Sequence, residues 1–122
     1  MGKVKNTLSK RLENAKRLEK EAPNLYNGFS ELMKHYYKPG VLELKYKELM
    51  TVALSVAIRC EPCLAFHVNA AIAAGAIREE IIEAAAIGIE FGGGPAFAFV
   101  RDNLLDFIDE ILEDQSSSEK NE

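Results

Sequence analysis

No stretch of this chain alternates apolar and polar residues as a half-buried strand would, which argues against a sheet. No segment reads as a membrane span, and the opening Met1-Gly2-Lys3-Val4-Lys5-Asn6-Thr7 has no apolar core of a signal peptide. A cytoplasmic protein without membrane contact is the expectation. An excess of positive charge is missing too. The formal net charge is −4, and Lys3, Lys5, Lys10, Arg11, Lys16, Arg17 and Lys20 are interleaved with acids from Glu13 onward. Such a surface has no general attraction for phosphate backbones, so nucleic acid is not an expected partner. Cysteine is scarce, with two in 122 residues. In a reducing compartment two close cysteines point to catalysis, redox sensing or metal binding rather than to a permanent staple.

What the chain does have is helical periodicity. A content of 48% apolar and 28% charged residues suits one globular domain, taken as residues 1–112. The expected architecture is all-α, a bundle of five to six helices. Leu8, Leu12, Ala15 and Leu18 mark a charged amphipathic helix interrupted by Pro23. Leu25, Phe29, Leu32 and Tyr36 mark a second, stopped by Pro39-Gly40; both should face the surface. From about Leu44 to Ile58 the residues Leu49, Met50, Val52, Ala53, Leu54, Val56, Ala57 and Ile58 leave little polar face, predicting a helix buried nearly all round. A helix begins near Pro62 and stops at Gly75. Glu79-Glu80 open the next, which Gly92-Gly93-Gly94-Pro95 breaks, and Phe97, Val100, Leu104, Phe107, Ile108 and Ile111 belong to the last. Residues 113–122 have nothing to bury and are expected to be disordered. The middle of the chain carries more apolar surface than a small monomer covers, with alanine-rich stretches at Ala70 to Ala74 and Ala84 to Ala86. Self-association is the natural outlet.

The chemistry concentrates in Arg59-Cys60-Glu61-Pro62-Cys63-Leu64-Ala65-Phe66-His67, a C-x-x-C followed four residues later by histidine. Two thiols at this spacing can close a disulfide without unfolding anything. With Pro62 in the first helical turn, Cys63 lies near the free amides and the positive end of the dipole, which favours thiolate. Arg59 adds positive charge nearby. Cys63 and His67 share a helix face, Cys60 can fold over the same end, and His67 can accept a thiol proton. Which thiol leads is open on this ground, since thioredoxin-like chemistry favours the first cysteine.

Other readings compete. The cysteines could be bystanders in a helical core. They could also bind zinc with His67 and a fourth ligand from His35 or Glu48, although structural zinc sites usually present two ligand pairs and no second C-x-x-C or H-x-x-x-H exists here. His35, beside Tyr36 and Tyr37, has no register with the cysteines and reads as structural. Glu48 alone reads as a solvated first-turn acid.

The spacing changes that reading of Glu48. Eleven residues separate it from Cys60, completing E-x(11)-C-x-x-C-x-x-x-H. The segment from Pro39 to about Pro95, with Lys47-Glu48-Leu49, Cys60 to His67, Ala74-Gly75-Ala76 and Glu79-Glu80-Ile81, resembles the carboxymuconolactone decarboxylase family in its alkylhydroperoxidase D-like (AhpD-like) branch. It departs from the best-known members at Pro62, where they carry a histidine. The resemblance implies an all-helical thiol peroxidase or disulfide reductase that assembles as a homotrimer or homohexamer and needs no cofactor or metal. It implies that Cys63 attacks peroxide and becomes a sulfenic acid. Cys60 would donate a proton and then close the Cys60–Cys63 disulfide, Glu48 and His67 would relay protons, and a dithiol reductant would reset the site. The family's namesake lactone decarboxylation is the alternative, in members that do not depend on a cysteine pair; a non-catalytic redox sensor is another.

Helix geometry sets a further expectation. At about 1.5 Å per residue, a turn near Cys60 brings His67 opposite residue 53 or so and leaves Glu48 roughly 7 Å further along, so contact requires a bend, a crossing angle, a bridging water or a neighbouring subunit.

Overall fold

The computed structural model describes residues 2–120, among which there are six α-helices and no strand. They are α1 (Lys3–Glu21), α2 (Pro23–Tyr37), α3 (Leu44–Ala57), α4 (Glu61–Ala73), α5 (Arg78–Gly92) and α6 (Gly94–Lys120). The stops fall where backbone chemistry requires them. Pro23 begins α2 one residue after α1 ends, at a position whose amide needs no intrahelical acceptor. Gly75 and Gly93 take φ of +100° and +73°, the left-handed side open to glycine, and so turn the chain out of α4 and α5. No helix is long and apolar enough to cross a membrane among the described residues.

The core lies between α3, α4, α5 and α6. Val52 and Val56 of α3, Leu64, Ala65, Val68 and Ala71 of α4, Ile81 and Ala85 of α5, and Leu104, Phe107, Ile108 and Ile111 of α6 are all buried. Small residues set the spacing of α3 and α5. A side chain on Gly88 would run into the Ala53 carbonyl and Val56, and one on Gly92 would meet Ala57 and Ala96. Those contacts advance in the same direction on both helices, and Lys45 pairs with Glu80 at 3.1 Å near both N-termini, so α3 and α5 run parallel. The α1–α2 hairpin lies outside this core. Its anchor is the start of α1, where Val4 is buried and the Glu110 carboxylate of α6 accepts the amides of Val4 (3.0 Å) and Lys5 (2.8 Å), two donors that the helix leaves unpaired.

Two expectations need correction. α3 is not buried all round, because α4 and α5 cover two of its sides and Met50, Leu54 and Ile58, spaced four residues apart, stay exposed. Ile87 and Phe91 of α5 are exposed as well. In a parallel right-handed pair, residues just after the seam on α3 and just before it on α5 fall on the same side, so these five side chains form one apolar face. The segment after Leu112 also differs from a disordered tail, since α6 continues through Lys120. Once a helix is nucleated each further turn is cheap, and no glycine or proline follows Pro95 to stop it. Residues 113–118 are exposed on that extension, while Asn121 and Glu122 lie outside the described residues.

Candidate active site

The α3–α4 turn makes the site. Arg59, exposed and with φ of +54°, reverses the chain, while the Arg59 and Cys60 amides donate to the carbonyls of Val56 (3.1 Å) and Ser55 (3.0 Å). Cys60 is the N-cap of α4, and its Sγ accepts the Cys63 amide at 3.2 Å, the role that serine or aspartate ordinarily fills. Glu61 and Pro62 occupy the first turn. Cys63 follows at the third helical position, and a disulfide joins it to Cys60 with Cα atoms 5.2 Å apart. Both cysteines are half-buried. On reduction a Cys63 thiolate would sit in the first turn of α4, at the positive end of its dipole, which lowers the cost of its charge.

One turn further along α4, His67 Nδ1 lies 2.8 Å from Glu48 Oε2. Glu48 is 5% exposed, and the imidazole is its one ion-pair partner among the described residues. A carboxylate only accepts, so Nδ1 carries the proton and donates it, leaving Nε2 as the nitrogen able to take a proton. The roughly 7 Å gap expected from ideal helices is therefore closed without water or a second subunit. The chain reverses about Arg59 rather than Cys60, which places His67 opposite Thr51 and reduces the axial offset to Glu48 to about 4.5 Å, within reach of a glutamate side chain.

The surroundings add residues that sequence reasoning missed. The Tyr37 ring stacks on His67 with centroids 5.8 Å apart at 24°, and Phe66 meets the imidazole edge-on at 5.0 Å. Tyr37 Oη lies 3.2 Å from Thr51 Oγ1. Since Thr51 spends its own proton on the Lys47 carbonyl at 2.8 Å, Tyr37 is the donor. Burial pushes the Tyr37 phenol up from its ordinary range, and the nearby Glu48 charge adds to this. The Arg11 guanidinium of α1 sits 4.0 Å over the Phe66 ring. Thr51 was discoverable: Glu48, Thr51 and Ser55, at spacings of three and four, make a polar stripe through an otherwise apolar helix. Nothing local marks Tyr37, thirty residues from His67 and on another helix.

His35 is exposed on α2 and takes no part in these hydrogen bonds. No group of three or more His, Cys, Asp or Glu side chains is arranged to hold a metal among the described residues. A groove of about 1070 Å³ runs between α1 and α2, lined by Leu18, Leu25, Phe29 and Met33, and reaches Pro62 between the two cysteines.

Comparison with known proteins places the chain in a family. An uncharacterized protein of Cupriavidus necator is 38% identical over 85 residues, covering 70% of this chain and 75% of the relative. A crystal structure from Thermotoga maritima, a carboxymuconolactone decarboxylase family protein for which a part in the antioxidative response has been suggested, superposes with a TM-score of 0.83 at 30% identity, covering 93% of this chain and 96% of that one. A protein of the same family from Legionella pneumophila, solved in its apo form, gives 0.79 at 31% identity, covering 91% and 96%. The family model for carboxymuconolactone decarboxylases matches residues 23–102, which extends the likeness beyond the Pro39 to Pro95 segment on both sides. By the match and by these relatives, this chain belongs to the carboxymuconolactone decarboxylase family.

Proposed function

We propose that this protein is a thiol-dependent peroxidase or disulfide oxidoreductase of the alkylhydroperoxidase D-like kind. The observation that carries the proposal is the Cys60–Cys63 disulfide at the N-terminus of α4, one turn from a buried Glu48–His67 couple. In the reduced enzyme His67 Nε2 takes the Cys63 proton, and the thiolate attacks the terminal oxygen of a hydroperoxide. The O–O bond breaks, Cys63 becomes a sulfenic acid, and the departing alkoxide takes the Cys60 proton to leave as an alcohol. The Cys60 thiolate then attacks the Cys63 sulfur; hydroxide leaves and becomes water with the proton held on His67. Two thiols and one hydroperoxide thus yield a disulfide, an alcohol and water. A dithiol reductant returns two electrons and two protons by exchange, a cycle suited to the cytoplasm.

The apolar face of Met50, Leu54, Ile58, Ile87 and Phe91 supports assembly as a homotrimer or homohexamer. In sedimentation, the wild type is expected to run as an oligomer and Phe91→Glu to shift toward smaller species. A wild type that sediments as a monomer at micromolar concentration overturns this part.

The catalytic proposal is tested by intact mass after one equivalent of hydroperoxide is added to reduced, chelator-treated protein, beside a free-thiol control. The expected result is rapid loss of two hydrogens per chain, abolished in Cys63→Ser. In Cys60→Ser the sulfenic acid should accumulate for trapping. Oxidation no faster than the control returns the protein to lactone decarboxylation or to non-catalytic redox sensing, and wild-type turnover in Cys63→Ser overturns the assignment of Cys63 as the attacking thiol.

A further inference from the structure

Apart from its last residue, α2 makes little of the site. It packs chiefly on α1, and its apolar side chains Leu25, Phe29, Leu32 and Tyr36 are exposed. Tyr37 is the exception. At the C-terminal end of α2 it is half-buried, its ring lies along the imidazole of His67, and its hydroxyl donates to Thr51 on α3. The Thr51 oxygen is itself fixed, because Thr51 donates to the Lys47 carbonyl one turn back.

These contacts divide the control of one ring. Glu48 holds a single atom of His67, Nδ1, and a single hydrogen bond leaves the imidazole free to rock about that contact. Phe66 touches the ring by an edge from the same helix. Only a surface lying along the ring face restrains the rocking, and Tyr37 supplies it from an element outside the α3–α4 hairpin. The direction in which Nε2 points depends on that restraint. So does the alignment of its lone pair with a thiol proton.

We infer that Tyr37 is a positioning residue for His67, holding the imidazole plane by stacking while Thr51 anchors the phenol to α3. The inference rests on the thiol-oxidation reading for its catalytic consequence, but its structural content can be read separately. Among the described residues the Tyr37 hydroxyl is hydrogen-bonded to Thr51 and not to a cysteine, and in the proposed cycle it does not meet the hydroperoxide; it acts through the ring it holds. The predicted hierarchy is that loss of the ring matters more than loss of the hydroxyl.

The experiment uses full-length protein labelled with ¹⁵N-histidine, with His35→Gln to assign the signals, in three forms: wild type, Tyr37→Phe and Tyr37→Leu. Circular dichroism establishes folding, and Tyr37→Phe provides the test should Tyr37→Leu not fold. The first readout is exchange of the His67 Nδ1 proton with solvent. It is expected to be slow in the wild type, to change by no more than about threefold in Tyr37→Phe, and to be about tenfold faster in Tyr37→Leu, where the ring can swing away from Glu48. The second is the rate at which hydroperoxide closes the Cys60–Cys63 disulfide. A misaligned base should slow it about tenfold in Tyr37→Leu, with the rate largely restored in Tyr37→Phe. Equal proton exchange in the wild type and a folded Tyr37→Leu overturns the positioning role, as does a Tyr37→Phe variant that exchanges tenfold faster than the wild type. If hydroperoxide fails to oxidise the wild type, the functional reading falls while the exchange measurement still decides the role of Tyr37.

Discussion

Two helical hairpins in this molecule are built alike and held differently. In α1–α2 each helix has an apolar stripe, yet Leu12, Leu18, Leu25, Phe29 and Leu32 remain exposed and Val4 is the one buried side chain of the pair. In α3–α4 both helices enter the core, and the polar residues they carry inward, Glu48, Ser55 and His67, are each hydrogen-bonded. The contrast shows where precise placement comes from. Burial forces polar groups to find partners, because an unpaired one costs about 1–3 kcal/mol, and that requirement fixes the geometry a proton relay needs. An outer hairpin under no such requirement is free to present a groove and, at one point, to lend Tyr37 to the site.

The sharpest way to break the contrast is to remove the inner carboxylate. Glu48→Ala leaves the Nδ1 proton of His67 unpaired in a site with little solvent, and it should lower stability by about 2–3 kcal/mol in urea unfolding. Loss of the orienting partner should also slow hydroperoxide-driven closure of the disulfide by about a hundredfold. Glu48→Gln retains an acceptor of similar shape, so it should cost less stability while still slowing oxidation. A Glu48→Ala protein that oxidises at the wild-type rate would show that the Glu48–His67 couple is a structural brace and not a relay.

The same contrast explains what could be read in the sequence. Helix number and most boundaries were legible because prolines, glycines and first-turn acids mark them locally: Pro23, Pro39-Gly40, Gly75, Glu79-Glu80 and Gly92-Gly93-Gly94-Pro95 all fall at or next to helix ends. The cysteine pair and His67 were legible because four-residue spacing on a helix is a local fact. Glu48 entered as a proton relay only through its spacing to Cys60 within a family pattern, since helix geometry alone kept it too far from His67. What escaped was tertiary. The uncovered side of α3 cannot be told from the covered sides when the helix is mostly apolar all round and two of its polar residues, Glu48 and Ser55, are themselves buried, and the approach of Tyr37 to His67 depends on how α2 lies against the core. The helix beyond Leu112 escaped for another reason: an exposed extension of an existing helix needs no burial to persist for two further turns.

Glycine substitutions sharpen the comparison at lower amplitude and with opposite sign. Gly88 is on the inner seam, where an added methyl would run into the Ala53 carbonyl and Val56, so Gly88→Ala should destabilise by about 1–3 kcal/mol through overpacking. Gly28 is in the exposed interior of α2 with nothing near the space its side chain would fill. There alanine relieves the backbone entropy that glycine loses in a helix, and Gly28→Ala should stabilise by about 0.5–1 kcal/mol. Paired urea titrations measure both, and the sign of the second is the more informative. A stabilised Gly28→Ala protein with an unchanged rate of disulfide closure would mean that α2 can be stiffened without disturbing Tyr37. If the substitution instead slows closure while raising stability, the outer hairpin must flex for the site to work, and the division between a precise inner hairpin and a permissive outer one would have to be redrawn around motion of α2.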